Sequence, residues 1–146
     1  MKTTDAEIIR EFGPFPGANM VAGVSYDGQV IWWASGQKLN AMDPETGETL
    51  RYLEVPATVG TAFDGTHLYQ IAEGKIQKLD PQTGEVLSSI PTPSQEDDNS
   101  GMAWAEGSLW VGQMEGKKIL QIDPETGEIL RTIHSERMVT GVTWVD

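Results

Sequence analysis

A six-residue turn, Asp-Pro-x-Thr-Gly-Glu, occurs three times in this chain, beginning at Asp43, Asp80 and Asp123. In such a turn the aspartate accepts hydrogen bonds from backbone amides ahead of it, proline fixes φ, and glycine takes the left-handed conformation that closes a hairpin with a bulge. Stretches with apolar residues at every second position flank each copy, which is the pattern of β-strands. The repeat therefore predicts three hairpins, each joining two antiparallel strands.

A second motif, Gly-x-small-aromatic, precedes each hairpin and occurs once more near the C-terminus. The four copies run from Gly23 to Tyr26, Gly60 to Phe63, Gly101 to Trp104 and Gly141 to Trp144. After each of the first three, an acid-Gly turn leads into a strand with aromatic residues of its own: Trp32 and Trp33, Tyr69, and Trp110. Small residues let inner strands crowd around an axis, and we interpret the aromatic residues as core between neighbouring sheets.

Four short antiparallel strands, repeated about every 40 residues, are typical of a β-propeller blade. The sequence thus predicts an all-β fold with three four-stranded blades at residues 20–53, 57–90 and 100–133 of one domain. Residues 7–12 match the outermost strands and predict an extra outer strand at the N-terminus. Residues 138–146 predict an extra inner strand at the C-terminus.

The combined motif resembles the blades of the YVTN, NHL and virginiamycin B lyase-like propellers, and it is similar to the glutamine cyclotransferase group. The resemblance covers residues 7–146 and implies the fold, because such blades host lyases, lactonases, cyclotransferases and binding modules. Lyase-like enzymes tend to place histidine just before the inner-strand glycine, where this chain has Ala22, Val59, Ser100 and Thr140. Cyclotransferases carry Thr-Gln-Gly-Leu at the first inner strand, where this chain has Val21-Ala-Gly-Val24.

Three blades do not close a ring, since propellers have about four to eight. An unclosed arc exposes apolar sheet faces, which mark an interaction surface. The prediction is a homodimer in which two arcs form a ring of about six blades. A fragment of a larger propeller, without independent function, is the alternative.

The charge and composition of the chain limit the classes of molecule that it could bind. The net charge of −12 disfavours nucleic acid and anionic membrane, and no stretch approaches the eighteen apolar residues of a membrane span. The chain has no cysteine, which excludes disulfides and thiolate metal sites and is compatible with a reducing cytoplasm, the expected location.

Two loops carry candidate chemistry on the face where propellers usually bind ligands. The longest connection between blades contains Glu96, Asp97 and Asp98, oxygen ligands suited to Ca²⁺ or Mg²⁺; the alternative is a solvated polar loop. His134 lies two residues before Glu136, a pair that could transfer protons; the alternative is an exposed loop. The predicted function is a self-associating binding module for an unidentified small molecule. A small metal-dependent lyase or hydrolase at the propeller axis is the second hypothesis.

Overall fold

The computed structural model describes residues 5–94 and 98–145, which form twelve β-strands and contain no α-helix. No helix able to cross a membrane occurs in this part of the chain. The strands are β1 Val24–Tyr26, β2 Ile31–Ala34, β3 Leu39–Met42, β4 Thr49–Leu53, β5 Thr61–Phe63, β6 Leu68–Ala72, β7 Lys75–Leu79, β8 Val86–Pro91, β9 Asn99–Ala105, β10 Ser108–Gln113, β11 Lys118–Ile122 and β12 Ile129–His134.

The strands form three antiparallel sheets of four, each in simple sequence order. Blade 1 contains β1 to β4, blade 2 contains β5 to β8, and blade 3 contains β9 to β12. In each blade the first strand is innermost, since the inner strands β1, β5 and β9 contact one another. The prediction of an all-β chain with three four-stranded repeats is confirmed.

The repeated turn joins the third and fourth strands of each blade as its sequence predicts. Asp43 accepts hydrogen bonds at Oδ1 from the backbone amides of Glu45 (2.7 Å) and Thr46 (2.9 Å), and Asp80 and Asp123 do the same in their blades. The turn glycines have φ of 74° to 76°. The strand register shifts by a bulge beside each turn. Each turn therefore closes a bulged hairpin with its own side chain.

An aspartate holds the turn between the first two strands in blades 1 and 2. Asp27 accepts hydrogen bonds from the amides of Gln29 and Val30 at 2.8 Å and from Trp32 Nε1 at 2.7 Å. Asp64 holds the equivalent turn in blade 2 and accepts a hydrogen bond from the Tyr69 hydroxyl. Each of these aspartates therefore ties the aromatic residue of the second strand to the turn.

The core lies between blades rather than within one sheet. One cluster joins blades 1 and 2, and a second joins blades 2 and 3. At the second boundary the rings of Tyr69 and Trp104 stack with centroids 5.5 Å apart. At the first, Arg51 lies over the Trp32 ring and donates from Nη2 to the carbonyl oxygen of Pro81 at 2.7 Å. These contacts confirm the core prediction for Trp32, Tyr69 and Trp104, whereas Tyr26 and Trp144 are 58% and 44% exposed and are not core.

The N-terminal segment covers the open face of blade 1 without forming a strand. Arg10 donates to the carbonyl oxygens of Pro44 and Glu45 at 3.4 and 3.3 Å, and Phe15 stacks on Trp33 with centroids 4.5 Å apart. Residues 7–12 therefore differ from the predicted outer strand. A strand needs a hydrogen-bonding neighbour, and no third strand of a preceding blade lies beside this segment in the described chain.

The C-terminal segment covers part of blade 3, again without forming a strand. The Trp144 ring lies 5.7 Å from that of Trp110, and the Ser100 hydroxyl donates to the carbonyl oxygen of Val139 at 2.6 Å. The described part of 138–146 thus lies where an inner strand belongs. It lacks the second strand with which an inner strand would pair, so the predicted extra strand is not formed.

Candidate functional site

Glycines in the inner segments let the backbones meet around the axis. A Cβ atom added to any of the first three motif glycines would lie within 3 Å of the backbone of the next inner segment. The shortest distances from such a Cβ atom would be 2.5 Å to the Val59 oxygen for Gly23, 2.7 Å to the Ser100 oxygen for Gly60, and 2.6 Å to the Val142 nitrogen for Gly101. A Cβ atom added to the fourth glycine, Gly141, would meet no atom within 4 Å, because no inner segment follows it among the described residues. The inner segments therefore form an arc that is open after Gly141.

Three cavities lie along the inner segments, and the middle one shares lining residues with each of the other two. The middle one, 240 Å³, is lined by residues of all four inner segments. The lower one, 560 Å³, contains the four motif aromatics Tyr26, Phe63, Trp104 and Trp144. The upper one, 510 Å³, lies at the ends where blades connect to one another. The upper and lower cavities have the volume of a small-molecule site.

The upper cavity has one acidic group among apolar and uncharged polar lining residues. Val21, Val59, Ile71 and Met114 form much of the wall, and Glu73 is the charged side chain among its described lining residues. Glu73 has φ of 54° in the two-residue turn between β6 and β7. The sequence analysis did not select this residue, although its position between the second and third strands of a blade places it on the ligand face.

The structure places the predicted proton-transfer pair away from the axis. His134 is the last residue of the outermost strand β12, exposed and opposite Lys118, and Glu136 is exposed just beyond it. Neither residue lines an axial cavity. With neighbouring strands about 4.8 Å apart, the outer strand lies roughly 14 Å from the inner one. The two residues share the predicted face, but the fold does not bring them to the cavities.

The predicted metal ligands fall partly outside the structure. Glu96 and Asp97 lie outside the described residues. Asp98 accepts hydrogen bonds at Oδ1 from the amides of Glu115 (2.6 Å) and Gly116 (3.1 Å), so this side chain caps the turn between β10 and β11. Within residues 5–94 and 98–145, no three histidine, aspartate or glutamate side chains come together as metal ligands would. Divalent cation binding stays a prediction.

The fold lowers the pKa of the three turn aspartates, and hydrogen bonds from backbone amides are the main cause. Hydrogen bonds from the amides of Thr46 and Glu45 hold the pKa of Asp43 below its usual value. Asp80 and Asp123 have lowered pKa values for the same reason in their own turns. A lowered pKa in the folded state stabilises the fold above the unfolded-state pKa of about 3.9, and this contribution is lost as the pH falls.

We expect the melting temperature to drop as the pH is lowered below about 4, where these aspartates become protonated. The triple variant Asp43→Asn, Asp80→Asn, Asp123→Asn keeps an oxygen acceptor in each turn but cannot titrate. Its melting temperature, followed by circular dichroism, should fall less steeply over the same pH range. Equal slopes for the two proteins would show that these turns contribute nothing to acid sensitivity.

Comparison with known proteins identifies the fold. No family model and no curated protein matches the chain. Among solved structures, glutaminyl cyclase of Myxococcus xanthus superposes with a TM-score of 0.71 at 14% identity, over 83% of this chain and 61% of that one. A chain of a nidogen–laminin complex gives 0.69 at 14% identity, over 88% and 53%. The chain has a β-propeller-like fold.

This chain is shorter than the solved propellers that it resembles. The chain spans about three fifths of the cyclase chain and about half of the chain from the nidogen–laminin complex. The computationally designed Ika4 protein is matched over 89% of its length, with a TM-score of 0.61 and 18% identity. At these identities the likeness is one of fold, so activities and partners have to be argued from the residues of this propeller.

Proposed function

We propose that this propeller is an interaction module that self-associates through the two ends of its arc and presents a small-ligand site on its axis. The observation that carries the proposal is that the ends expose side chains which the interior blade boundaries bury. At the end of the outer strand, Leu53 of blade 1 is 5% exposed and Ile90 of blade 2 is 8% exposed. The equivalent residue of blade 3, Ile133, is 37% exposed.

The inner strands show the same contrast at the other end of the arc. Tyr26 of blade 1 is 58% exposed, and it would face the second strand of a preceding blade. Its equivalent in blade 3, Trp104, stacks on Tyr69 of blade 2. Each end of the arc therefore presents one half of a boundary whose other half is the opposite end of a second copy, which is a head-to-tail arrangement.

Charge gives this association a salt dependence. Each copy carries a net charge of −12, so two copies repel one another over long range. Salt screens that repulsion, with a Debye length of about 8 Å near physiological ionic strength. Association through apolar side chains should therefore strengthen as salt is added.

The axial cavities support binding more than catalysis. The alternative, a metal-dependent lyase or hydrolase, needs several polar groups converging on one point. The described lining of the upper cavity offers one carboxylate, Glu73, besides uncharged polar side chains, and that of the lower cavity offers aromatic and aliphatic side chains with a few hydroxyls; neither contains a histidine or a second acid. A small apolar ligand bound there would contact residues from all the inner segments.

Replacing Ile133 with glutamate tests the association. At protein concentrations above the dissociation constant, light scattering should report about 32 kDa for the unmodified chain, twice its mass of 16.0 kDa, and about 16 kDa for Ile133→Glu. The reason is that a buried boundary would have to accept an unpaired charge. Leu130→Glu is the matched control, because Leu130 lies on the same strand and is 50% exposed.

The control should keep the mass of the unmodified chain, since Leu50 and Leu87, the equivalents of Leu130 at the interior boundaries, stay 54% and 46% exposed. An unmodified chain that stays at the monomer mass at every concentration and salt level would contradict the proposed function. Equal masses for the two glutamate variants would contradict the assignment of the boundary to the Ile133 end.

A further inference from the structure

The interior blade boundaries share one contact pattern at their outer edge. The last apolar residue of an outer strand lies against the turn glycine of the next blade: Leu53 is 3.4 Å from the Cβ position of Gly84, and Ile90 is 3.5 Å from that of Gly127. Two residues before Leu53, Arg51 donates to the carbonyl oxygen of Pro81 in the same turn. Blade 2 has Ser88 at the position of Arg51, so the apolar contact occurs at both boundaries and the arginine contact at the first. An outer strand that carries both residues thus fits an Asp-Pro-x-Thr-Gly turn.

The N-terminal segment makes the same contacts with blade 1. Arg10 donates to the carbonyl oxygen of Pro44, and the Phe12 ring lies against Gly47. Arg10 also forms an ion pair with Glu45, 3.6 Å between Nη1 and Oε2. These two residues correspond to Arg51 and Leu53 in the repeat. Although 7–12 is not a strand, its side chains occupy the place of a preceding blade's outer strand.

Blade 3 carries the same pair of side chains on its outer strand β12. Arg131 is exposed and its guanidinium group makes no hydrogen bond or ion pair within the described residues, and Ile133, two residues later, is 37% exposed. In the repeat these residues correspond to Arg10 and Phe12 of the N-terminal segment. Blade 3 thus presents the pair of side chains that fits the turn of blade 1.

We propose that the turn at 43–47 is the docking site for Arg131 and Ile133 of a second copy, and that residues 7–12 occupy it until they are displaced. The proposal rests on the proposed self-association and names its surfaces. The Glu45 carboxylate supplies the charge complementarity, since it would pair with Arg131 as it does with Arg10. Blade 3 of one copy would then follow directly on blade 1 of the other, and two copies would give six blades.

At the inner edge of the boundary, too, a terminal segment occupies the place of a neighbouring blade. Trp144 lies against Trp110 as Trp104 lies against Tyr69, so the C-terminal segment occupies the inner place on blade 3. In the docked pair, Tyr26 of the second copy takes that place. Both terminal segments are therefore displaced by equivalent residues of the second copy.

The contacts of the N-terminal segment are weak enough for such an exchange. Its two hydrogen bonds are long, at 3.3 and 3.4 Å, and its ion pair is exposed to solvent. Ile8 and Ile9 are 77% and 92% exposed, so they add little burial. The segment is tethered, however, and a short tether gives an effective concentration of about millimolar. The full chain should therefore associate weakly, and loss of the segment's contacts should strengthen association.

The test weakens the segment without shortening the chain. The double variant Arg10→Ser, Phe12→Ser should lower the dissociation constant of self-association by about tenfold or more in sedimentation equilibrium. The control Ile9→Ser, Glu11→Ser alters two exposed residues of the same segment and should leave the constant unchanged. Adding Arg131→Ser, Ile133→Ser to the first double variant should abolish association.

A peptide competition does not depend on how the variants fold. Residues 5–12 as a synthetic peptide, at about millimolar concentration, should dissociate copies of the unmodified chain; the same peptide with Arg10→Ser and Phe12→Ser should not. Unchanged or weaker association of the Arg10→Ser, Phe12→Ser variant, or no effect of the peptide on associated protein, would overturn this inference and leave the self-association standing. Monomers throughout, in both the unmodified chain and the variant, would overturn the self-association and this inference with it.

Discussion

Gly60→Ala is expected to lower the free energy of unfolding by about 3 kcal/mol, at the upper end of the range for overpacked sites. The new Cβ atom would lie 2.7 Å from the Met102 nitrogen and from the Ser100 oxygen. Both are backbone atoms of the neighbouring inner strand, so no side-chain rotation relieves the contact. The two blades would have to separate at the axis, where the core between them begins.

Gly141→Ala is the matched control for this change. Gly141 occupies the same motif position in the fourth inner segment, where a Cβ atom would meet nothing within 4 Å. Its stability should stay within about 0.5 kcal/mol of the unmodified chain. Urea unfolding of the two variants measures the difference. Equal losses would mean that glycine is required at this position for backbone conformation and not for the close approach of the inner strands.

Tyr69→Ala is expected to cost about 3–5 kcal/mol, the range for large aromatic residues removed from a core. Tyr69 is 2% exposed, its ring stacks on Trp104, and its hydroxyl donates to Asp64 at 3.2 Å. The substitution leaves a cavity between blades 2 and 3 and removes one hydrogen bond to the Asp64 turn. Thermal and urea unfolding should both show the loss.

Tyr26→Ala serves as the comparison for this second change. Tyr26 is 58% exposed at the open end of blade 1, where its hydroxyl donates to the carbonyl oxygen of Gly28. Its removal should cost about 1 kcal/mol or less at concentrations where the chain is a single copy. A cost for Tyr26 as large as that for Tyr69 would mean that the ends of the arc are packed as tightly as its interior boundaries.

These two pairs of variants compare the stability contributed by the interior blade boundaries with that contributed by the ends of the arc. Both interior boundaries combine a close inner approach, a buried aromatic residue and an arginine or lysine that reaches the next turn, as Arg51 and Lys78 do. The ends carry the same residue types without the second blade. Stability should therefore come from the interior boundaries, whereas the ends are free to exchange one partner for another.

The local sequence determined the strands and turns of this protein. The Asp-Pro-x-Thr-Gly-Glu pattern specifies its own hydrogen bonds and a glycine with positive φ, and the alternating apolar residues specify the flanking strands. The small and aromatic residues of the inner motif specify the packing at the axis, which the approach of Gly60 to Ser100 reflects. These interactions lie within a few residues or recur in each blade, so the repeat reveals them.

Only the tertiary structure decided the conformation of the two terminal segments and the distance of each loop from the axis. Residues 7–12 have the sequence of an outer strand, but a strand forms only beside a hydrogen-bonding neighbour, and none of the described residues provides one. His134 and Glu136 lie on the predicted face, yet the distance from the axis depends on which strand carries them, and β12 is outermost. Glu73 reaches the upper cavity because its turn joins β6 and β7 at that face. Periodicity records which side of a strand is buried; the distance of a residue from the axis comes from the assembly of the blades.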